Sequence, residues 1–292
     1  MNSFSIKDLE SLSGIKAHTI RIWEQRYSFL KPQRTTTNIR SYTCDELKTI
    51  LNIALLNKYG FKISHIDKMN GDEIADKLVS LTDSQARQEK LINDLIGSTI
   101  DMCVDNFELI LDDFIKTKGI EKTISQLIFP FLERIGLLWQ TNNINPAQEH
   151  LVTNVIRQKL IVGIDHTVPL INVNRSVLLF LPEGEYHELG LLYMFYVLKG
   201  RGIEVLYLGA NVPVRDVIYV ANMKKPNELY THITCVPGNM KLEKYLNQLP
   251  EQVPHIPVII TGQLAQSPTR TLSPHIQLKK TMQEVISHFA QS

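Results

Sequence analysis

The sequence predicts a multidomain chain, α in its N-terminal half and α/β in its C-terminal half. Three observations carry that. Between Gly14 and Tyr42 the basic residues Lys16, Arg21, Arg26, Lys31, Arg34 and Arg40 stand against Glu24 alone. From residue 75 to 168 apolar residues recur at helical spacing with no strand pattern. After Asn172 short apolar runs alternate with helical stretches, the rhythm of a parallel sheet covered by helices.

The chain has 292 residues, 43% hydrophobic and 21% charged, enough for two or three ordinary globular domains. No apolar run has membrane-spanning length, and Met1-Asn-Ser-Phe-Ser lacks the basic start and apolar core of a signal peptide. Cys44, Cys103 and Cys235 are scattered, odd in number and without a CxxC pair, which suits reduced thiols in a cytoplasm better than disulfides or zinc. The net charge of +1 says little by itself, because the basic residues concentrate at one end.

Apolar positions 6, 9 and 12 followed by Gly14 predict a short helix and a tight turn. Ile20, Trp23 and Tyr27 then form the inner stripe of a second helix, with Trp23 as packing beneath it. Two short helices about a glycine turn, the second basic, have the form of a helix-turn-helix. Leu30 to Tyr42, rich in Thr, Asn and Arg, suits a small β-wing that grips phosphates. Thr43 with Glu46 makes a capping box for the next helix, Gly60 breaks it, Ser64 opens another, and Gly71 lies near a boundary.

Four helices follow, around Leu91–Ile96, Phe107–Ile115, Ile124–Trp139 and Pro146–Ile164, and imply a helical bundle. Pro130 should bend the third, while Asn145 can cap the fourth with Pro146 in its first position. Strands are expected at Val177–Leu181, Ile203–Leu208, Leu229–Val236 and Val258–Ile260. Helices should fill the gaps over Leu189–Leu198, Val214–Met223, from Lys241, and over Met282–Ala290. Each strand but the third ends in a candidate ligand loop: Glu185-Tyr-His187-Glu-Leu-Gly190, Gly209-Ala-Asn-Val212-Pro213 and Thr261-Gly262.

Thr19-Ile-Arg-Ile-Trp-Glu-Gln-Arg-Tyr27, then Pro32-x-Arg34 and Arg40-x-Tyr42, resembles the winged-helix DNA-binding domain of the MerR family of bacterial transcription regulators over about the first 70 residues. In that family the second helix enters the major groove and the wing meets the backbone. The resemblance implies Lys16, His18, Thr19, Arg21, Arg26, Tyr27, Arg34, Arg40 and Tyr42 as DNA contacts. Ser28 and Thr37 or Asn38 stand where the family usually has glycine.

Glu185-x-His187-x-x-Gly190, Gly209-x-x-Val212-Pro213 and Thr261-Gly262 resemble the cobalamin-binding α/β domain, whose Asp-x-His-x-x-Gly signature gives an imidazole to cobalt from below. Glu185 stands for the usual Asp. The cofactor-binding residues so implied are Glu185, His187, Gly190, Gly209, Val212, Pro213, Thr234 and Gly262, with His187 as the cobalt ligand. The usual glycine pair after the fourth strand reads Gly262-Gln263, so Gln263 is expected to intrude on the nucleotide tail, and the small hydroxyl of the third strand falls among Thr231, His232 and Thr234. Trp139 and, after nine residues, Glu149-His150 are similar to the cap of the light-sensing, adenosylcobalamin-dependent MerR regulators of the CarH and LitR type. There these residues flank the adenosyl group. Gln140 replaces a histidine that captures cobalt after photolysis in light sensors of this type.

The resemblance therefore implies a winged helix-turn-helix over 1–72, a helical-bundle cap over 75–170 and a Rossmann-like parallel α/β cobalamin-binding domain over 174–292. The expected function is a cytoplasmic DNA-binding regulator, a repressor of its promoter, controlled by adenosylcobalamin and with light as a candidate signal. By resemblance it is a homo-oligomer, dimer or tetramer, with double-stranded DNA as partner and no membrane. One alternative is a MerR-type regulator whose cobalamin domain no longer binds corrinoid and acts through protein contacts. The other is a cobalamin-dependent methyltransferase or mutase component, disfavoured by the DNA motif and the lack of a substrate barrel.

Overall fold

The computed structural model describes residues 3–34, 36, 38–140, 144–234, 242–266 and 272–290. The chain forms two compact units, Met1–Ile156 and Arg157–Ser292.

In the first unit α1 (Ile6–Ser13) opens on a capping box between Ser5 and Asp8 and ends at Gly14 with φ +73°. α2 (Ala17–Arg26) buries Ile20 and Trp23, the stripe its sequence spacing requires. Glu10 holds the turn between them: its carboxylate accepts from the Ala17 N–H at 3.2 Å and pairs with Lys16 at 3.1 Å. β1 (Gln33–Arg34) and β2 (Arg40–Ser41) pair antiparallel as the wing. Asn38 at its tip has φ +63°, so asparagine takes the left-handed conformation usually left to glycine; Thr37 lies outside the described residues.

α3 (Cys44–Lys58) starts with the Thr43–Glu46 capping box and buries seven residues, Leu47 to Leu56. α4 (Ile63–Ile66) is short. α5 (Gly71–Val79), capped by Asn70 and Glu73, fills the stretch expected to be a boundary.

The bundle comprises α6 (Ser84–Ile100), α7 (Val104–Lys118), α8 (Ile120–Lys122) leading into α9 (Phe129–Gln140), and α10 (Pro146–His166). Pro130 acts through hydrogen bonding. It has no N–H for the carbonyl four residues back, and the turn before it, Thr123–Ile128, widens to a π-helix. The Gln126 carbonyl, four residues before Pro130, accepts from the Gln88 side chain at 2.5 Å. Asn145 caps α10 as expected, its Oδ1 taking the Ala147 N–H at 2.9 Å. Gln148, buried, returns a bond to the Asn145 N–H and donates to the Ile100 carbonyl at the end of α6.

The second unit is a five-stranded parallel sheet in the order β4-β3-β5-β6-β7. Its strands are β3 (Ser176–Pro182), β4 (Glu204–Val212), β5 (Glu228–Ile233), β6 (Val258–Gly262) and β7 (Ile276–Leu278). The sequence reading contained four of them; β7 is three residues with one buried, too short to show a pattern. β5 stops at Ile233, and residues 235 and 236 of its expected extent lie outside the described residues.

Between the strands run α11 (Leu189–Gly200), α12 (Val214–Lys224) and α13 (Leu242–Gln252), and α14 (Met282–His288) follows β7. One core lies on the α11–α14 face around Leu179, Met194, Tyr230 and Ile259; the other lies on the α12–α13 face around Phe180, Leu229, Leu246 and Ile260. β3 is buried on both faces, which is why it reads as a continuous apolar run. The chain leaves β3 first to one side and then to the other, so the crevice at the carboxyl ends of β3 and β5 is a topological switch point.

Candidate functional site

The loop after β3 sits at that switch point and is built around a buried carboxylate. Glu185 is 1% exposed. Its Oε1 accepts from the N–H groups of Tyr186 and His187, both at 2.9 Å, and lies 2.6 Å from His187 Nδ1. Its Oε2 accepts from the Thr234 N–H at 3.0 Å, tying the end of β5 to the same loop. The His187 side chain remains 53% exposed. A carboxylate on Nδ1 fixes the tautomer and directs any metal to Nε2. The longer Glu arm therefore reaches the imidazole that an Asp normally orients.

Asn211, φ +58°, completes the loop: its Oδ1 takes the Gly184 N–H at 2.9 Å, and its own N–H donates to the Glu185 carbonyl at 3.0 Å. The sequence reading passed over Asn211, though an Asn two residues before a proline at a strand end is a turn signal. It also passed over Glu188, which joins Arg157 at 2.5 Å and the Tyr207 hydroxyl at 2.9 Å.

The other expected cofactor residues are placed as follows. Gly209 does not end its strand: β4 runs on to Val212, and Gly209, φ +82°, forms a bulge at the register shift opposite Phe180. Val212 packs its side chain into the core on the α12–α13 face. Thr234 contributes its backbone N–H. Pro213 precedes α12 as its N-cap. Gly190 lies in the first turn of α11 against His232, and Gly262 has φ +91°.

In the helical unit, Trp139 at the end of α9 exposes 52% of its surface, a state that core packing does not explain. Glu149 is half-buried and His150 exposed in the first turns of α10. The side chain of Gln140 lies outside the described residues.

Of the expected DNA contacts, Lys16, His18, Arg21, Arg26 and Arg34 are exposed, and Thr19 and Tyr27 are half-buried. Tyr27 stacks on Phe29. Arg34 bonds Asn38 across the wing at 2.7 Å. Tyr42 is a correction. It is 1% exposed, and its hydroxyl donates to Glu24, which also takes Arg40 Nε at 2.7 Å. Burial is the main reason its phenol is held well above the ordinary range. Tyr42 is a core residue locking wing to helix, and the half-buried Arg40 already has its guanidinium paired with Glu24.

An exposed basic helix-turn-helix in one unit, and an oriented imidazole at a sheet's switch point in the other, define a DNA-binding regulator with a ligand-binding domain. Residues 4–70 match the MerR HTH family of regulatory proteins, and residues 87–162 match the B12 binding domain. The chain is 28% identical over 273 residues to the HTH-type transcriptional repressor CarH of Myxococcus xanthus, covering 91% of this chain and 90% of that one. It is 30% identical over 210 residues to the repressor CarA of the same organism, covering 71% and 68%. The chain belongs to this family of HTH-type transcriptional repressors.

Among solved structures it is similar to the monomethylamine corrinoid protein of Methanosarcina barkeri, with 13% identity, TM-score 0.46, and coverage of 60% of this chain and 85% of that one. A cobalamin-binding protein from Desulfitobacterium hafniense DCB-2 gives 16% identity, TM-score 0.31, and coverage of 61% and 85%. No helix among the described residues is long and apolar enough to cross a membrane.

Proposed function

We propose that this chain represses transcription at an operator held by its helix-turn-helix, and that adenosylcobalamin bound over the His187 loop sets the strength of that grip. The observation that carries the reading is the Glu185–His187 pair, 2.6 Å apart, with the carboxylate buried and the imidazole half-exposed. The donor set fits cobalt, which takes neutral imidazole nitrogen. The bound group would supply a cobalt centre and a large flat face whose upper substituent distinguishes one state of the cofactor from another.

The protein's own residues do the rest. Glu185 holds the His187 proton on Nδ1, and the three backbone N–H groups it accepts keep the loop rigid. Trp139, Glu149 and His150 are assigned to the adenosyl side of the ligand: an indole for stacking, a carboxylate for ribose hydroxyls. Lys16, His18, Arg21, Arg26 and Arg34 are assigned to DNA. Coupling is linkage: a ligand that favours one arrangement or assembly of the chain changes operator affinity by the same free energy. A dimer or tetramer is the assembly proposed, and light is a candidate signal through loss of the adenosyl group.

The test is a dark absorbance titration of the full chain with adenosylcobalamin, followed by operator binding with and without the cofactor. Binding accompanied by a spectral change that His187→Ala abolishes supports the reading. Protein that stays colourless at saturating cofactor and binds its operator unchanged would end it.

A further inference from the structure

We infer that this chain holds a corrinoid by its ring and does not house the nucleotide tail, with His232 as the residue that closes the way in. The inference rests on the reading of His187 as the cobalt ligand. In free cobalamin the lower axial position is taken by a benzimidazole at the end of a ribose-phosphate tail. One axial position accepts one nitrogen, so an imidazole that binds there displaces the benzimidazole. The displaced tail then enters the protein or stays in water.

To enter beside His187 it needs a gap on the α11–α14 face of the sheet, between the start of α11 and the ends of β5 and β6. Side chains fill that place. The His232 ring lies so close to Gly190 that a Cβ there would meet its Cδ2 at 2.5 Å and its Nε2 at 2.8 Å. His232 Nδ1 is 2.8 Å from Thr261 Oγ1, and that oxygen is 2.8 Å from the Tyr230 hydroxyl. Thr261 and Tyr230 are buried. The two strands are also paired to their ends, Ile233 against Gly262, and with φ +91° at Gly262 a Cβ there would stand 2.2 Å from the Ile233 carbonyl. His232 is half-buried, and desolvation pushes its imidazole down to about 4, so the ring stands neutral and hydrogen-bonded to Thr261. Gln263, expected from sequence to be the obstruction, is exposed in a 3-10 turn; the bulk comes from His232 and Thr261.

The test compares adenosylcobalamin with adenosylcobinamide, which keeps the corrin, cobalt and adenosyl group but lacks the nucleotide tail. Both are titrated into the full-length chain in the dark, followed by visible absorbance and equilibrium dialysis. A housed tail buries an aromatic bicycle about the size of an indole, which favours cobalamin by about a hundredfold or more.

The expected result is that cobinamide binds at least as tightly as cobalamin, since the tail gains no contacts to offset its displacement. A preference for cobalamin of a hundredfold would overturn the inference and leave His187 ligation standing. Failure of both ligands to bind would instead overturn the cobalamin reading, and this inference with it. In a His232→Gly, Thr261→Gly variant whose circular dichroism matches the parent, cobalamin should gain at least about tenfold over cobinamide. A folded variant with no such gain removes His232 as the closing residue.

Discussion

Glu185→Gln changes one atom of the loop that orients His187, and the structure says where the damage falls. Oε1 serves the corner where the N–H groups of Tyr186 and His187 and the imidazole Nδ1 converge, while Oε2 faces the Thr234 N–H. A glutamine that keeps its oxygen at the crowded corner turns its NH2 toward Thr234, donor against donor, in a site with 1% exposure. Losing one buried bond and facing an unsatisfied donor costs about 1–3 kcal/mol. The bond to His187 loses its charge assistance too, and weakening the partner of a ligating imidazole lowers metal affinity by roughly 10–100-fold. Urea unfolding of the ligand-free protein reads the first quantity and a dark cobalamin titration the second. Parental stability together with parental affinity would refute the account of Glu185.

Tyr42→Phe should lower the stability of the DNA-binding region by about 1–2 kcal/mol and leave the salt dependence of operator binding unchanged. Arg21→Ala should reduce that salt slope by about one unit with little change in melting temperature. Fluorescence anisotropy across a salt series separates the two; a Tyr42→Phe variant with a reduced slope would restore Tyr42 to the interface. Trp139→Ala, at an exposed indole, should change stability by less than about 1 kcal/mol but weaken adenosylcobalamin binding at least about tenfold, read by calorimetry. His232 supplies a pH prediction. Its folded value is lowered to about 4 from 6.5, so between those values the unfolded chain binds the extra proton. The stability it contributes is complete above pH 6.5 and is lost as pH falls toward 4, by roughly 2–3 kcal/mol. His232→Leu should flatten that part of the urea-unfolding profile, and an equally steep profile would place the titrating group elsewhere.

The sequence by itself determined the parts that depend on local chemistry. A glycine turn before a basic stretch, a capping box at Thr43, an N-cap at Asn145, and the double-sided apolar run of β3 each act within a few residues of themselves, so spacing revealed them. The Glu185–His187 pair was legible for the same reason: two residues apart on one loop, they had few ways not to meet. What Pro130 would do was half legible, since the missing N–H is local but the Gln88 side chain that answers it lies far along the chain.

Only the tertiary structure decided which side chains point outward and which fill gaps. Tyr42 looked like a wing contact until Glu24, from another element, drew it inside. Gly209 and Val212 looked like loop until pairing with β3 carried the strand past them. His232 looked like an ambiguous polar residue on a strand; packed against Gly190 from α11 and bonded to Thr261 from β6, it becomes the residue that decides how much of a ligand can enter. Burial is a property of what surrounds a residue, and those surroundings come from segments that the linear pattern does not place side by side.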